Sequence, residues 1–108
     1  MKLTKDFYCD FVLNNKIVVE KIRETKNVLA FYHTNPSWTI HIVIIPKQHI
    51  DKLINLKNME FITEIFEVAR DIIKEKGFVN SNYKIITNGG DFQESQHLHF
   101  HLVSGAPL

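Results

Sequence analysis

Three of the six histidines in the chain stand at alternate positions of the stretch QHLHFHLVSG: His97, His99 and His101. Between them lie the large apolar residues Leu98, Phe100 and Leu102. Successive side chains of a β-strand point to opposite faces, so this spacing predicts a row of imidazoles, about 7 Å apart, on one face and apolar side chains entering the core on the other. Because imidazole titrates near neutral pH, the row indicates acid–base, nucleophilic or metal chemistry.

Three interpretations of the row compete. A solvated strand face is disfavoured, because three histidines in register with three large apolar residues are hard to obtain by composition alone. A metal site is possible, since His-x-His places two imidazoles on one ion and His41 or His49 can complete the set. A phosphoryl-transfer site is the third, in which one neutral imidazole attacks phosphorus while its neighbours bind phosphate oxygens. Spacing alone leaves the last two open.

The composition excludes several other classes of protein. A chain of 108 residues with 44% hydrophobic residues is expected to form a single domain, residues 1–108, around one core. The net charge of +1, with scattered Lys and Arg, argues against a sequence-specific nucleic-acid partner. A lone cysteine excludes an internal disulfide, and the longest apolar run, IHIVIIP, is far too short for a membrane span. Without a recognisable secretory signal, we expect a cytoplasmic protein.

The order of elements predicts the architecture that must position the histidines. β-Branched and alternating stretches predict five strands, over 16–25, 28–33, 39–46, 82–88 and 97–103. Residues 7–15 predict a short helix or turn. Apolar residues at spacings of three and four predict one long helix over 58–77, with Asn58 as its cap and Gly77 as its stop. Strands before and after one helix favour an α+β fold, an antiparallel sheet whose second face is left for a ligand.

Motifs along nearly the whole chain resemble one family. The stretch HLHFHLV matches the His-φ-His-φ-His-φ-φ signature of the histidine triad (HIT) family, where φ is apolar. The block VLAFYHTNPSWTIHIVIIPKQHI is similar to the family's preceding conserved strand pair, with its loop proline, upstream histidine and Ile-Pro-Lys-x-His-Ile ending. The block KIITNGGDFQESQHLHFH is similar to the segment that carries an Asn, a Gly-rich loop and a Gln before the triad.

The resemblance implies a fold and an activity. The fold is a five-stranded antiparallel sheet with one long and one short helix, which commonly dimerises into a larger continuous sheet. Members bind nucleotides and cleave or transfer at the α-phosphate of nucleoside phosphoramidates, dinucleoside polyphosphates or acylated nucleotides. They use no metal or other cofactor in the reaction. The resemblance therefore implies a homodimeric nucleotide hydrolase or nucleotidyl transferase.

The resemblance also implies a role for each histidine of the signature. His99 matches the nucleophile, which attacks the α-phosphorus and forms a nucleotidyl-histidine. His97 matches the residue whose backbone carbonyl accepts a hydrogen bond from the other ring nitrogen of the nucleophile. His101 matches a ligand of the phosphate oxygens, and His41 matches the fourth histidine of the site.

Other positions match the family's substrate contacts. Asn88 and Gln93 match polar residues that hold the phosphate and the leaving-group side. Phe31 and Tyr32 match the lining of the nucleobase pocket. His33 stands where the family has an Asp or Asn that bonds the ribose hydroxyls.

Some members also carry a zinc site built from Cys-x-x-Cys and a His. Here Val12 follows Cys9 at the third position, and His49 is interpreted as a capping or surface residue. No structural zinc is therefore expected.

The departures from the family favour a second possibility. Besides His33, the family's phosphoramidase branch often has Ser at the position of Glu94, and the loop over 88–93 is shorter by about two residues. A carboxylate beside an anionic phosphate is repulsive unless it is protonated, turned away or facing a cationic group. These features are those expected of a nucleotide-binding regulatory module without turnover, the alternative to an enzyme.

Overall fold

A computed structural model describes residues 7–108 of the protein. Its single antiparallel sheet contains β1 (Lys21–Glu24), β2 (Val28–Tyr32), β3 (Trp38–Pro46), β4 (Tyr83–Thr87) and β5 (Phe100–Pro107). The strands lie across the sheet in the order β1-β2-β3-β5-β4. Every neighbouring pair is antiparallel. The predicted α+β class and five-stranded antiparallel sheet are confirmed.

One long helix, α1 (Glu60–Glu75), covers one face of the sheet. It buries Ile65, Val68, Ala69, Ile72 and Ile73. Met59 and Phe66, which the apolar spacing predicts to be buried, remain 61% and 45% exposed. The buried face of the helix is therefore rotated from the predicted one. Asn58 accepts a hydrogen bond from the Glu60 amide at 3.0 Å, as its predicted capping role requires. No helix within residues 7–108 is long and apolar enough to cross a membrane.

The other face of the sheet is covered near the start of the described chain. A single helical turn, Tyr8–Val12, forms the predicted short helix. It packs in a small apolar cluster with Leu29, Phe31, Val43 and Ile45. The histidines of the signature lie beside this cluster, since Tyr8 contacts the rings of His97 and His99. The N-terminal turn therefore covers part of this second face, and the histidines lie on the rest of it.

The last strand begins later than the sequence predicts. The prediction was 97–103, whereas β5 is Phe100–Pro107. The reason lies in the backbone: the Leu98 amide donates to the Ile50 carbonyl at 2.6 Å rather than to a neighbouring strand. The alternation nevertheless persists through this segment, because its apolar residues all enter the core beneath α1: Leu98, Phe100 and Leu102.

Candidate functional site

Two central strands bring His41 and His101 together. In the β3–β5 ladder His41 lies opposite Val103 and His101 opposite Val43, so the two histidines are diagonal neighbours. Their rings contact each other, with Nε2 of His41 2.8 Å from Nδ1 of His101. The pair forms because the strands that carry it are adjacent, although the residues are far apart in the chain.

Backbone contacts determine which ring nitrogens carry protons. The Ser37 amide donates to Nδ1 of His41 at 3.0 Å, so a neutral His41 ring carries its proton on Nε2. That N–H donates to Nδ1 of His101, which places the proton of a neutral His101 ring on Nε2. The chain of hydrogen bonds therefore ends in an N–H that faces the site.

His99 has the opposite arrangement. Its Nδ1 lies 2.7 Å from the backbone carbonyl of His97 and donates to it, which leaves the lone pair on Nε2. This is the hydrogen bond that the family resemblance implies. The Thr87 hydroxyl donates to the carbonyl of His99 at 2.9 Å and holds the backbone of that residue. His99 is 4% exposed, so its ring is a positioned and largely desolvated base.

His33 adds a third imidazole to the His41–His101 pair. Its ring lies 4.3 Å from that of His41 and 6.0 Å from that of His101, measured between centroids. The Asn35 amide donates to Nδ1 of His33 at 2.9 Å, so the neutral His33 ring also carries its proton on Nε2. The site thus contains two ring N–H groups, on His33 and His101, that suit the oxygens of a phosphate.

Burial keeps these rings uncharged. It lowers the pKa of His101 to about 3, with further lowering by His99, His41 and His33. Burial and, to a smaller extent, His33 lower the pKa of His41 to about 4. The pKa of His33 is also lowered by burial, against the opposing effect of the Glu94 carboxylate. All three rings are therefore neutral hydrogen-bond donors at pH 7.

The same three histidines have the spacing of a metal site, but their protons oppose that role. Their candidate ligand atoms all lie within 4.8 Å of one another. A neutral imidazole ligates through the nitrogen that lacks a proton. In His33 and His41 that nitrogen is Nδ1, which already accepts a backbone N–H. This set fits an anion better than a cation.

His97 belongs to a different cluster behind the site. It is fully buried, and its Nε2 donates to the Pro46 carbonyl at 2.7 Å. Its Nδ1 lies 3.3 Å from Sγ of Cys9, which in turn lies 3.7 Å from Nδ1 of His49. Zinc prefers this combination of thiolate and imidazole ligands, and the Pro46 carbonyl orients the His97 ring from behind.

Cys9, His49 and His97 therefore fit a zinc ion. They would hold it as a structural link between the N-terminal turn and the end of β3. The sequence predicts no zinc because Val12 stands where a second cysteine would be, but folding brings two imidazoles to Cys9.

Two cavities of about 270 and 290 Å³ meet at His99. Residues that line both are His33, Asn35, Glu94, His99 and His101. The first cavity adds the aromatic rings of Phe7, Tyr8 and Phe31, which suit a flat apolar group such as a nucleobase. The second adds mainly polar neighbours, including Ser37, Trp38, His41 and Asn88. The His99 side chain thus lies between an aromatic compartment and a polar one.

Two residues predicted to contact substrate are placed elsewhere. Tyr32 packs on the helix face of the sheet, because it follows Phe31 on β2 and neighbouring strand residues point to opposite faces. Gln93 is buried and donates its side-chain amide to the carbonyls of Asp51 and Ser95. It lines neither cavity and instead ties the Gly-rich loop to the rest of the chain. His97 contributes its carbonyl to the site, whereas its ring lies in the cluster behind it.

Several residues of the site were not predicted from the sequence. Tyr8 lies with its ring 5.0 Å from that of His99. Ser37 and Asn35 act through backbone amides, which any residue other than proline supplies. Ser95 accepts a hydrogen bond from the Phe7 amide at 3.2 Å and lines the aromatic cavity. A weak signal existed only for Tyr8, an aromatic residue within an apolar helical turn.

Comparisons with known proteins agree with the fold described above. The HIT domain family model matches residues 14–108 of the chain. A histidine triad protein from Clostridium difficile is 36% identical with a TM-score of 0.86, covering 100% of this chain and 96% of that one. A HIT family hydrolase from Legionella pneumophila Philadelphia 1 is 28% identical with a TM-score of 0.84, covering 93% and 92%. An adenosine 5′-monophosphoramidase of Saccharomyces cerevisiae is 34% identical over 104 residues, 93% of this chain and 64% of that protein.

Proposed function

The chain belongs to the HIT domain family, and on that basis we propose that it cleaves nucleotides at the α-phosphate through a covalent intermediate on His99. The substrate is a nucleoside phosphoramidate or a dinucleoside polyphosphate. One observation carries the proposal: the hydrogen bond from Nδ1 of His99 to the His97 carbonyl leaves a lone pair on Nε2 of a residue that lines both cavities. The name of the yeast relative, an adenosine 5′-monophosphoramidase, supports the first substrate class.

In the first half-reaction Nε2 of His99 attacks the α-phosphorus. A P–N bond to His99 forms, and the bond from phosphorus to the leaving group breaks. The nitrogen of a phosphoramidate leaving group takes up one proton from water and departs as an amine, whereas a nucleotide departs as its anion. The Nε2–H groups of His101 and His33 donate to the non-bridging oxygens, whose negative charge grows during attack.

In the second half-reaction water attacks the phosphorus of the nucleotidyl-histidine. The P–N bond breaks, a nucleoside monophosphate leaves and one proton is released, so the two halves balance. An alcohol or amine in place of water gives nucleotidyl transfer. In this proposal no metal takes part, because the phosphate oxygens are held by N–H donors.

We further propose that the protein is a homodimer joined through α1 and β4. β4 is an edge strand. Phe66 on α1 and Tyr83 on β4 are each 45% exposed and line an apolar groove with Ile62 and Ile85. Sedimentation equilibrium tests this: Phe66→Lys is expected to yield a monomer. Val18 is 94% exposed and lies outside this groove, so Val18→Lys should leave the dimer intact.

The proposed chemistry is tested by trapping the intermediate. Purified protein is mixed with adenosine and guanosine phosphoramidates and with dinucleoside polyphosphates, quenched at short times and analysed by intact mass spectrometry. We expect turnover and a nucleotidyl adduct in the wild type, and neither in His99→Ala. Ile54→Ala is the control, because it shortens an exposed side chain that lines neither cavity.

Other outcomes would redirect the assignment. Tight nucleotide binding without turnover or adduct means that the triad serves as a phosphate cradle in a binding protein. The departures at His33 and Glu94 would then mark that change. Turnover that survives in His99→Ala would place the nucleophile elsewhere.

A further inference from the structure

Glu94 gives the site its only full side-chain charge. Among the described residues that line either cavity, it is the only Asp, Glu, Lys or Arg. It lines both cavities, together with His99 and His101. A group leaving from the phosphorus therefore passes near this carboxylate whichever compartment it occupies.

The charge of Glu94 is not neutralised by a salt bridge. The ion pairs within residues 7–108 join other residues: Lys21, Arg23 and Lys47 with Glu24 and Glu75. Glu94 is itself exposed at the mouth of the site. Its field reaches the imidazole cluster, because it favours the protonated form of His33 and so opposes the lowering of the His33 pKa by burial.

A carboxylate in this position distinguishes between the two proposed substrate classes. The leaving group of a dinucleoside polyphosphate is a phosphate chain with several negative charges, which Glu94 repels. The leaving group of a phosphoramidate is an amine, and when it bears a second amino group it carries an ammonium that Glu94 attracts. In the proposed reaction, the N–H donors of His33 and His101 offset the repulsion between Glu94 and the α-phosphate.

We propose that Glu94 is a specificity-determining residue that selects substrates whose leaving group carries a positive charge, such as nucleoside phosphoramidates of diamines. The inference rests on the proposed function and narrows its substrate class. It excludes dinucleoside polyphosphates as preferred substrates.

Among residues 7–108, the Lys84 ammonium lies near enough to the site to oppose this effect. Nζ of Lys84 is 4.8 Å from the centroid of the Trp38 ring, and that ring lines the polar cavity. Lys84 itself lines neither cavity, so the indole separates its ammonium from the leaving group. Glu94 borders the cavity directly, and its charge is therefore expected to dominate.

The test uses three adenosine 5′-phosphoramidates that differ only in remote charge. Their leaving amines are 1,5-diaminopentane, pentylamine and 5-aminopentanoate, with an ammonium, a methyl group and a carboxylate at the far end. We expect kcat/KM to fall in that order, by about tenfold for each unit of charge at roughly 6 Å in a partly screened site. High salt should compress the series.

Variants test whether Glu94 causes this order of kcat/KM values. Glu94→Gln should reduce the differences to about twofold, and Glu94→Lys should reverse the order. Glu60→Gln, which removes an exposed carboxylate in the first turn of α1, should leave the order unchanged. Circular dichroism establishes that each variant is folded. Equal rates for the three compounds in the wild type, or an order that Glu94→Gln leaves intact, would overturn the proposal.

The same compounds separate this proposal from the proposed function. Turnover of all three without charge preference would contradict the role of Glu94 but not the proposed chemistry of His99. Absence of turnover and of adduct sinks the chemistry. Calorimetric affinities of the three intact compounds then still test Glu94, since selection by charge predicts the same order in binding.

Discussion

Nε2 of His41 lies 2.8 Å from Nδ1 of His101, and the direction of this hydrogen bond is set from outside the pair by the Ser37 amide. The amide occupies the only other ring nitrogen of His41, so the proton must lie between the rings. His101 then presents its own N–H to the site. A backbone group in a loop thus determines which ring nitrogen of His101 carries the proton.

Removing His41 is expected to slow the first half-reaction. His41→Ala leaves Nδ1 of His101 without its donor, and loss of such an orienting partner commonly costs about 10 to 100-fold. His41→Gln can place an amide N–H near the lost Nε2–H and should lose less. Rapid-quench measurement of adduct formation checks this. Equal losses in the two variants would mean that the hydrogen bond does not orient His101.

Folding stability is expected to fall as the pH drops from 6.5 towards 4. Burial lowers the pKa of His41 to about 4 and that of His101 to about 3, from an ordinary value of 6.5. Below pH 6.5 the unfolded chain therefore binds protons that the folded chain does not, and stability decreases. Above pH 6.5 both states are neutral at these positions and the contribution is complete. Thermal unfolding at pH 7.5, 6.5 and 5.5 measures the slope.

The matched comparison for this slope is His101→Asn. It removes the group whose pKa is lowered most, so its Tm should change less between pH 6.5 and 5.5 than that of the wild type. Carboxylates with a lowered pKa, such as Glu64, reduce stability only at more acidic pH. A wild-type Tm that is flat over this window would contradict the neutral, buried state of the imidazoles.

Zinc is expected to bind behind the site without taking part in the reaction. Because Cys9, His49 and His97 converge, added Zn²⁺ should raise the Tm of the metal-free protein, and Cys9→Ser should abolish the rise. At 100 times the dissociation constant a ligand adds about 2.7 kcal/mol to stability. Turnover should persist in a chelator. An equal rise in Cys9→Ser would place the ion elsewhere.

Gly105→Ala is expected to destabilise the fold by about 1 to 3 kcal/mol. Gly105 has a φ of +82°, and a Cβ added there would lie 2.9 Å from Cβ of Thr39 on the neighbouring strand. Gly89→Ala is the control, because its φ is −135° and a Cβ there meets no atom within 4 Å. Urea denaturation compares the two. Equal stability of the two variants would mean that the end of β5 adjusts to the added Cβ without loss of free energy of unfolding.

The sheet was predictable because its periodicity is strong. β3 is apolar enough to indicate a central strand, and the alternation of the triad places Leu98 and Phe100 in the core. The start of β5 was not predictable, since residues before Phe100 continue the alternation while their amides bond outside the ladder. Alternation fixes which face a side chain takes and says nothing about where a backbone amide finds its partner.

Only the part of the site that depends on side-chain type was predictable from the sequence. The roles proposed for His41, His99 and His101 come from the motif, but the exclusion of Tyr32 follows from a strand face that the motif does not specify. Gln93 is polar and near the triad, yet two carbonyls use its amide. Cys9 meets His97 across 88 positions of the chain, a contact that tertiary folding alone creates.

β5 is the last of the five strands in sequence, yet it lies inside the sheet, between β3 and β4. His41 and His101 are 60 residues apart, so their contact requires the closure of a long loop, a slow event in folding. A partly folded chain that lacks this insertion has neither the imidazole pair nor a wall for the polar cavity. During refolding, turnover should therefore return only at the step that inserts β5, later than the helical signal of α1.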